Sequence, residues 1–208
     1  MFLTEEIKDL IQQLKERMSE KRFRHTLGVA DFSVQMGQDL GLKNLDELYI
    51  AALLHDIAKE LPVEEQISIL RRGSSVYTFR EEDLLSETLY HGFCAPYIIE
   101  NEFGQFQSPS VLNAVCYHTV GRENMDMFEK IIFLADYMEM GRIYRDCINV
   151  RNHYLENIKK TQDKERLINE CMLMTLDNTL SYLIRKRHHI SARTLFTRNA
   201  ILAELSLE

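Results

Sequence analysis

The chain has 208 residues, of which 45% are hydrophobic and 27% are charged, and its formal net charge is −7. This composition is typical of a globular protein and excludes a largely disordered chain, while the length favours a single domain spanning residues 1–208. The negative charge argues against a nucleic-acid-binding protein, because that function requires a basic surface.

Apolar residues recur with helical spacing in the first half of the chain, and typical capping residues divide this half into segments. The predicted helix starts are Thr4, Asn44, Pro62 as a first helical residue, and Ser108 followed by Pro109. The predicted helix stops are Gly41 and Gly73. On this pattern His25 lies near the start of the second helix, His91 opens a later helix and His118 ends the next one.

Helical patterns continue in the second half. The segment 127–138 is strongly apolar around Asp136, residues 164–186 form one long predicted helix, and a short final helix follows Thr194. Alternating strand patterns are nearly absent. The sequence therefore predicts an all-α protein.

His55 and Asp56 are adjacent at the end of the apolar run 51–54. Burying an imidazole beside a carboxylate is costly without a partner, and a divalent metal is a partner that suits both groups. Asp136 follows the apolar residues 131–135, where an unpaired buried carboxylate would cost several kcal/mol or become protonated. These three side chains are the first candidate metal ligands.

Three further histidines stand in comparable settings: His25 near the start of a predicted helix, His91 at the start of another and His118 at the end of a third. Taken singly, each is more simply a hydrogen-bonded structural histidine, and the pair at 55–56 fits a helix end satisfied by backbone groups. Together, the six residues supply enough ligands for two metals, which indicates hydrolysis of a phosphorus ester or anhydride. The remaining histidines lie among Arg, Lys and Asn residues and are predicted to be solvated: His153, His188 and His189.

The motifs around these residues resemble the HD-domain metal-dependent phosphohydrolases, and more closely their YqeK-like branch. The matching stretches are residues 22–29, 53–59, 90–92, 117–122, 129–137 and 141–142. The resemblance covers most of the chain, including the tail at 194–199, and it implies the HD-domain helical bundle.

The resemblance also implies an activity, namely the symmetrical hydrolysis of diadenosine tetraphosphate to two ADP by a hydroxide held at a two-metal His/Asp centre. On that basis His25, His55, Asp56 and Asp136 hold one metal, and Asp56 bridges to a second metal that His91 and His118 complete. Iron is the metal of the family. The residues themselves are equally compatible with manganese or another transition metal.

Three basic side chains are candidates for binding phosphate: Lys59, one helical turn beyond Asp56, together with Arg122 and Arg142. Each of them also fits a surface ion pair. Gly121 would let backbone N–H groups approach phosphate, and Thr119 could bind substrate or orient His118. The predicted substrate-binding residues are His25, Lys59, Thr119, Gly121, Arg122, Tyr137 and Arg142, and the predicted catalytic residues are Asp56, Lys59 and Arg122.

The chain departs from the family pattern at Val120, at Met140 and in the segment 143–147, which affects substrate fit rather than the metal ligands. Two other functions stay open: an HD-type phosphohydrolase acting on mononucleotides or cyclic nucleotides, and a nucleotide-binding module without catalysis. The absence of a Gly-Tyr-Pro sequence after the His-Asp motif argues against a cyclic dinucleotide enzyme. The presence of all six ligands argues against the module.

Compartment and partners follow from composition. Residues 1–6 lack the basic and apolar regions of a signal peptide, and no segment approaches the ~20 apolar residues of a membrane span. The four cysteines contain no CxxC pair, which favours free thiols in a reducing cytoplasm. We therefore expect a cytoplasmic protein with no nucleic-acid or membrane partner. The family resemblance implies a small dinucleoside polyphosphate or nucleotide as its substrate. The Met- and Leu-rich C-terminal helices fit either core or a homodimer interface.

Overall fold

The computed structural model describes residues 4–206. Residues 1–3 and 207–208 lie outside the described residues. The prediction that residues 1–6 lack the features of a signal peptide therefore falls partly outside them. Within 4–206 the chain forms ten α-helices and no β-strand, which confirms the all-α prediction. The helices are α1 (Glu5–Arg17), α2 (Glu20–Leu40), α3 (Leu45–Leu54), α4 (Val63–Arg72), α5 (Tyr90–Glu102), α6 (Pro109–Tyr117), α7 (Met127–Met138), α8 (Arg145–Asn157), α9 (Lys164–Lys186) and α10 (Ala192–Ser206).

Most predicted helix boundaries are confirmed by their capping geometry. The Thr4 and Ser108 hydroxyls accept hydrogen bonds from the backbone N–H groups of Ile7 and Val111. Gly41 ends α2 with φ of 77°, a left-handed conformation that glycine adopts without steric cost.

Three expectations about the helices need correction. Pro62 is the N-cap of α4 rather than its first helical residue, because its ψ of 144° is extended. The last helix, α10, has 15 residues and begins before Thr194, so it is neither short nor confined to the residues after it. Helix α8 was not predicted at all, since its polar sequence gives little apolar contrast.

Helices α2, α3, α6 and α7 pack against one another and carry the centre of the hydrophobic core. Val29, Leu53, Val115 and Ile132 are fully buried between them. Burying one such side chain stabilises the fold by about 1.5–3 kcal/mol, so this packing fixes the relative positions of the four helices. All four cysteines are free and buried.

The C-terminal helices pack on α7 through a polar contact as well as apolar ones. Lys130 of α7 is almost fully buried, and its Nζ donates to Asn169 Oδ1 of α9 at 2.9 Å and to Glu204 Oε2 of α10 at 2.6 Å. Because the Lys130 ammonium group is buried, it needs these two acceptors, so the contact ties α9 and α10 to the core. Among the described helices, none is long and apolar enough to span a membrane.

Helix α7 begins with a capping box. The Asp126 carboxylate accepts from the N–H of Glu129, and the Glu129 carboxylate accepts from the N–H of Asp126, both at 2.9 Å. This reciprocal pair satisfies two N–H groups that the helix itself leaves free.

We expect Asp126→Ala to lower the free energy of unfolding by about 1 kcal/mol, because it removes this cap. Urea unfolding followed by circular dichroism would measure the change. Asn44→Ala is the matched control, since Asn44 caps α3 without a side-chain hydrogen bond to its backbone. Equal losses in the two variants would contradict the role of the capping box.

Candidate metal centre

The six predicted ligand residues converge on one point of the structure. They come from α2 (His25), the end of α3 (His55 and Asp56), the first turn of α5 (His91), the end of α6 (His118) and α7 (Asp136). Because these helices form the packed centre of the fold, the ligand positions are set by the core rather than by mobile loops.

Asp56 lies at the middle of the group, and its two carboxylate oxygens face different histidines. Oδ2 is 3.3 Å from His55 Nε2 and 3.8 Å from His25 Nε2. Oδ1 is 3.2 Å from His91 Nε2 and 3.7 Å from His118 Nε2. The carboxylate therefore separates the histidines into two pairs.

Asp136 stands with the first pair. Its Oδ1 is 2.9 Å from His25 Nε2 and 3.9 Å from His55 Nε2. In the second pair, His91 Nε2 and His118 Nε2 are 3.2 Å apart. Two neighbouring sets of nitrogen and oxygen donors thus share the Asp56 carboxylate.

Backbone carbonyls fix the ring orientation of two histidines. His55 Nδ1 donates to the carbonyl of Ala52 at 2.6 Å, and His118 Nδ1 donates to the carbonyl of Val115 at 2.7 Å. Since a carbonyl only accepts, each Nδ1 carries the proton and each Nε2 presents its lone pair to the cluster. This is the tautomer that a metal-binding histidine adopts.

The group fits a divalent metal. His55 Nε2 is buried and has no hydrogen-bond partner among residues 4–206, although an unpaired buried nitrogen is costly. Imidazole nitrogens and carboxylate oxygens, with no thiolate among them, are a donor set that transition metals accept. A metal would supply the partner that His55 lacks.

The ionisation of these groups favours the same conclusion. Burial acts to raise the pKa of Asp56, but the adjacent imidazoles of His55, His91 and His118 outweigh burial and hold the pKa well below its usual range. Burial also acts to raise the pKa of Asp136, but a hydrogen bond from His25 and the charge of Arg142 hold that pKa well below its usual range. Burial lowers the pKa of His91 to about 3. The carboxylates are charged and His91 is neutral at neutral pH, as metal binding requires.

Three cationic side chains surround the group. Lys59 Nζ is 3.1 Å from His91 Nε2, and Arg142 Nη2 is 2.5 Å from Asp136 Oδ1. Arg22, which the sequence analysis did not select, contacts Asp56 Oδ2 at 2.5 Å. Lys59 and Arg142 therefore lie beside the predicted ligands, and their role in binding phosphate stays a prediction.

Glu139 is a second residue that the sequence analysis missed. Its Oε1 is 3.2 Å from His25 Nδ1, so it orients that histidine as the carbonyls orient His55 and His118. Its carboxylate lies in a space that two glycines leave open, because a Cβ at Gly28 or Gly141 would come within 2.9 Å of it. The only sequence signal was its place beside the Gly141-Arg142 motif.

The turn that carries Glu139 is held by Arg151 of the unpredicted helix α8. Arg151 Nη1 donates to the carbonyls of Met138, Glu139 and Arg142 at 3.1, 2.8 and 3.2 Å. The Arg151 side chain is buried. It fixes the backbone from which both Glu139 and Arg142 reach the cluster.

Other predicted site residues have different surroundings. Arg122 forms a two-pronged ion pair with the buried Glu129, at 2.6 and 2.7 Å, and its guanidinium lies 5.9 Å from the Tyr117 ring centroid. The Gly121 N–H donates to the carbonyl of Tyr117 at 2.8 Å. The roles of Arg122 and Gly121 in substrate binding stay predictions.

Thr119 and Tyr137, two further predicted residues, are each adjacent in sequence to one of the six predicted ligands. Thr119 Oγ1 is buried without a hydrogen-bond partner in the described part of the chain, so its hydroxyl is available. Tyr137 is half-buried beside Asn178 and Cys147, and burial raises the pKa of its hydroxyl. His153 pairs with Glu170 and His189 with Ser86, outside the cluster.

A cleft of about 680 Å³ leads to the cluster from the side of His25. We call it the basic cleft. Its cationic lining residues are Lys21, Arg22, Arg24 and Arg142, and its acidic lining residues are Glu20, Glu60 and Glu139. Its positive excess suits an anionic ligand that must approach the metal ligands.

Comparison with protein families agrees with the fold and the site. The family model described as HD domain matches residues 22–141, a range that contains all six predicted ligands. The chain therefore belongs to the HD-domain family.

Individual relatives define its branch. The chain is 33% identical over 196 residues to a protein of Halalkalibacterium halodurans, covering 93% of this chain and 96% of the relative. It is 27% identical to a protein of Bacillus subtilis, covering 91% and 94%. Both relatives carry the name bis(5'-nucleosyl)-tetraphosphatase, symmetrical. The predicted YqeK-like relationship is confirmed.

A solved structure also matches. It is described as a predicted HD superfamily hydrolase involved in NAD metabolism from Clostridium acetobutylicum. The TM-score is 0.83 with 31% sequence identity, and the match covers 95% of this chain and 97% of the other. The arrangement of helices is thus shared along nearly the whole chain.

We expect removal of bound metal with a chelator to lower Tm by about 5–10 °C. A metal present at 100 times its Kd stabilises the folded state by ~2.7 kcal/mol, and a chain of this size shifts by about 2–4 °C per kcal/mol. Differential scanning calorimetry with and without restored Mn²⁺ would measure this. His55→Ala should lose the shift, whereas His153→Ala, a histidine outside the cluster, should keep it. An unchanged Tm in the unsubstituted protein would contradict metal binding.

Proposed function

We propose that this chain hydrolyses diadenosine tetraphosphate symmetrically, releasing two ADP molecules, at the centre formed by the six His and Asp residues. The observation that carries the proposal is the convergence of these six residues around Asp56. It is supported by 33% and 27% sequence identity to two proteins named as symmetrical tetraphosphatases. The substrate is a small dinucleotide, and we propose the cytoplasm as its location.

The proposed ligand sets follow the division made by Asp56. His25, His55 and Asp136 with Asp56 Oδ2 are proposed for one metal, and His91 and His118 with Asp56 Oδ1 for a second. The short distances within each set support this assignment. The mixed imidazole and carboxylate donors accept iron or manganese, and the family resemblance favours iron.

When bound, such metals polarise phosphate oxygens and lower the pKa of water toward ~7. The chain's own residues have a complementary task, because the tetraphosphate brings several negative charges into a cleft. Lys59 and Arg142, already within hydrogen-bond distance of the proposed ligands, would hold phosphate oxygens there. Neutralising charge is the main requirement, since a nucleoside diphosphate leaves without needing strong protonation.

Arg142 is the proposed principal phosphate-binding arginine. It lines the basic cleft beside His25 and contacts Asp136, a proposed metal ligand. Arg122 is not among the residues that line this cleft, and it pairs with Glu129 instead. The buried hydroxyl of Thr119, adjacent to His118, is a further donor that a phosphate oxygen could satisfy.

The product pattern is the first test. Metal-loaded protein incubated with diadenosine tetraphosphate should give ADP as its sole nucleotide product, as measured by anion-exchange chromatography. Asp56→Ala is the matched inactive control, because it removes the oxygen donors shared by both ligand sets and should abolish metal content and turnover together. ATP plus AMP would contradict symmetrical attack, and no product from metal-replete protein would reject the proposed substrate.

A pair of arginine variants tests the phosphate contacts. We expect Arg142→Ala to lower kcat/KM by about tenfold to a hundredfold, because a hydrogen bond to a charged group contributes ~1.5–3 kcal/mol. Arg122→Ala should instead lower the free energy of unfolding of the protein. Its kcat/KM should change by less than about threefold, which is close to experimental scatter. Steady-state kinetics with metal content and urea unfolding would separate the two effects. A larger kinetic loss in Arg122→Ala would restore Arg122 as the main phosphate-binding residue.

A further inference from the structure

A second cleft lies between α1, α4 and α5 and borders the same cluster at Asp56. It has a volume of about 480 Å³ and includes Asp56 in its wall. We call it the acidic cleft, because its charged lining residues are Asp56, Glu60, Glu65 and Glu102 against Arg17 and Arg72. Glu60 lines both clefts, so the two clefts are neighbours, and each has one residue of the six-residue cluster in its wall: His25 in the basic cleft and Asp56 in the acidic cleft.

The two clefts differ in the sign of their charge. The basic cleft has four cationic side chains and three carboxylates, whereas the acidic cleft has two cationic side chains and four carboxylates. A phosphate chain is attracted to the first and repelled by the second. An uncharged group would enter the acidic cleft without that penalty.

The lining of the acidic cleft suits a nucleoside. Tyr97 offers an aromatic ring, and the planar Arg72 guanidinium lies 5.7 Å from its centroid and donates to its hydroxyl at 2.8 Å. Bases stack on such planar groups. Ile69 and Ile98 supply apolar wall, and the carboxylates can accept hydrogen bonds from ribose hydroxyls or a base amino group. The volume lies within the ~300–1,000 Å³ usual for small-molecule sites.

Symmetrical cleavage creates a need for two such spaces. When water attacks at the middle of the tetraphosphate, one ADP half lies on each side of the breaking P–O–P bond. The two nucleosides therefore lead away from the reacting phosphorus along different directions. Two clefts that border the proposed metal ligands, one at His25 and the other at Asp56, provide one direction each.

We propose that the acidic cleft binds one nucleoside of the dinucleotide, while the basic cleft takes the phosphate chain and the other nucleoside. This inference rests on the proposed function and adds a binding site to it. Tyr97 is its central residue, as the aromatic surface on which the base lies.

The test compares a substrate that has two nucleosides with a ligand that has one. For each variant, the kcat/KM for diadenosine tetraphosphate is measured, together with the inhibition constant of adenosine 5'-tetraphosphate against it. We expect Tyr97→Ala to lower kcat/KM for the dinucleotide about tenfold, the loss typical of one base–aromatic stack. The inhibition constant of adenosine 5'-tetraphosphate should change by less than about twofold, which is within the error of the measurement, because the basic cleft still binds this ligand.

A second variant guards against a folding defect in Tyr97→Ala. Ser68 is exposed on α4 and lines the acidic cleft, so Ser68→Phe fills the cleft without touching the core. It should reproduce the selective loss. Tyr182→Ala, at an exposed tyrosine of α9, is the control and should change neither constant.

The outcomes separate this inference from the function on which it rests. A selective loss for the dinucleotide in Tyr97→Ala and Ser68→Phe supports the acidic cleft as a nucleoside site. Equal effects on both ligands, or no effect, overturn it while leaving symmetrical hydrolysis in place. Unsubstituted, metal-loaded protein that fails to cleave the dinucleotide overturns both.

Discussion

The burial of one carboxylate, Asp56, is the constraint from which the arrangement of this protein follows. A charged oxygen removed from water needs compensating partners within a few Å. Four histidines and Arg22 stand within 3.8 Å of it. Arg22 and His25 come from α2, His55 from the end of α3, His91 from α5 and His118 from the end of α6. The packing of α2, α3, α5 and α6 can thus be understood as the scaffold that brings those partners to a single buried group.

Hydrogen bonds to nearby backbone carbonyls orient two of the histidine rings. His55 and His118 each turn Nδ1 back to the carbonyl three residues earlier, at the last turn of their helices. Helix ends have free carbonyls to offer, so the sequence needs no additional side chain for this purpose. His25 lies inside a helix where carbonyls are already used, and it takes its partner from a distant residue, Glu139.

That difference explains what the sequence could predict. Histidines and aspartates beside apolar helical runs are visible in a local pattern, and the six residues selected this way lie together. The His25–Glu139 contact spans 114 positions, so no local spacing announces it. The sequence does not predict helix α8, because its apolar residues are sparse, and the contact made by Arg151 of this helix is therefore not predicted either. The two-pronged pairing of Arg122 with Glu129 depends on a loop conformation that residue types alone do not specify.

Arg151 bears on where the working unit of this protein ends. The HD-domain match stops at residue 141 and already contains every predicted ligand. Yet three carbonyls of the 138–142 turn find their donor on α8, beyond that boundary. A fragment trimmed to the matched region would keep the ligands and lose the anchor of the turn that orients His25. The smallest part of this chain that keeps the proposed centre intact therefore extends past the region matched by the family model, into a helix that carries none of the matched motifs.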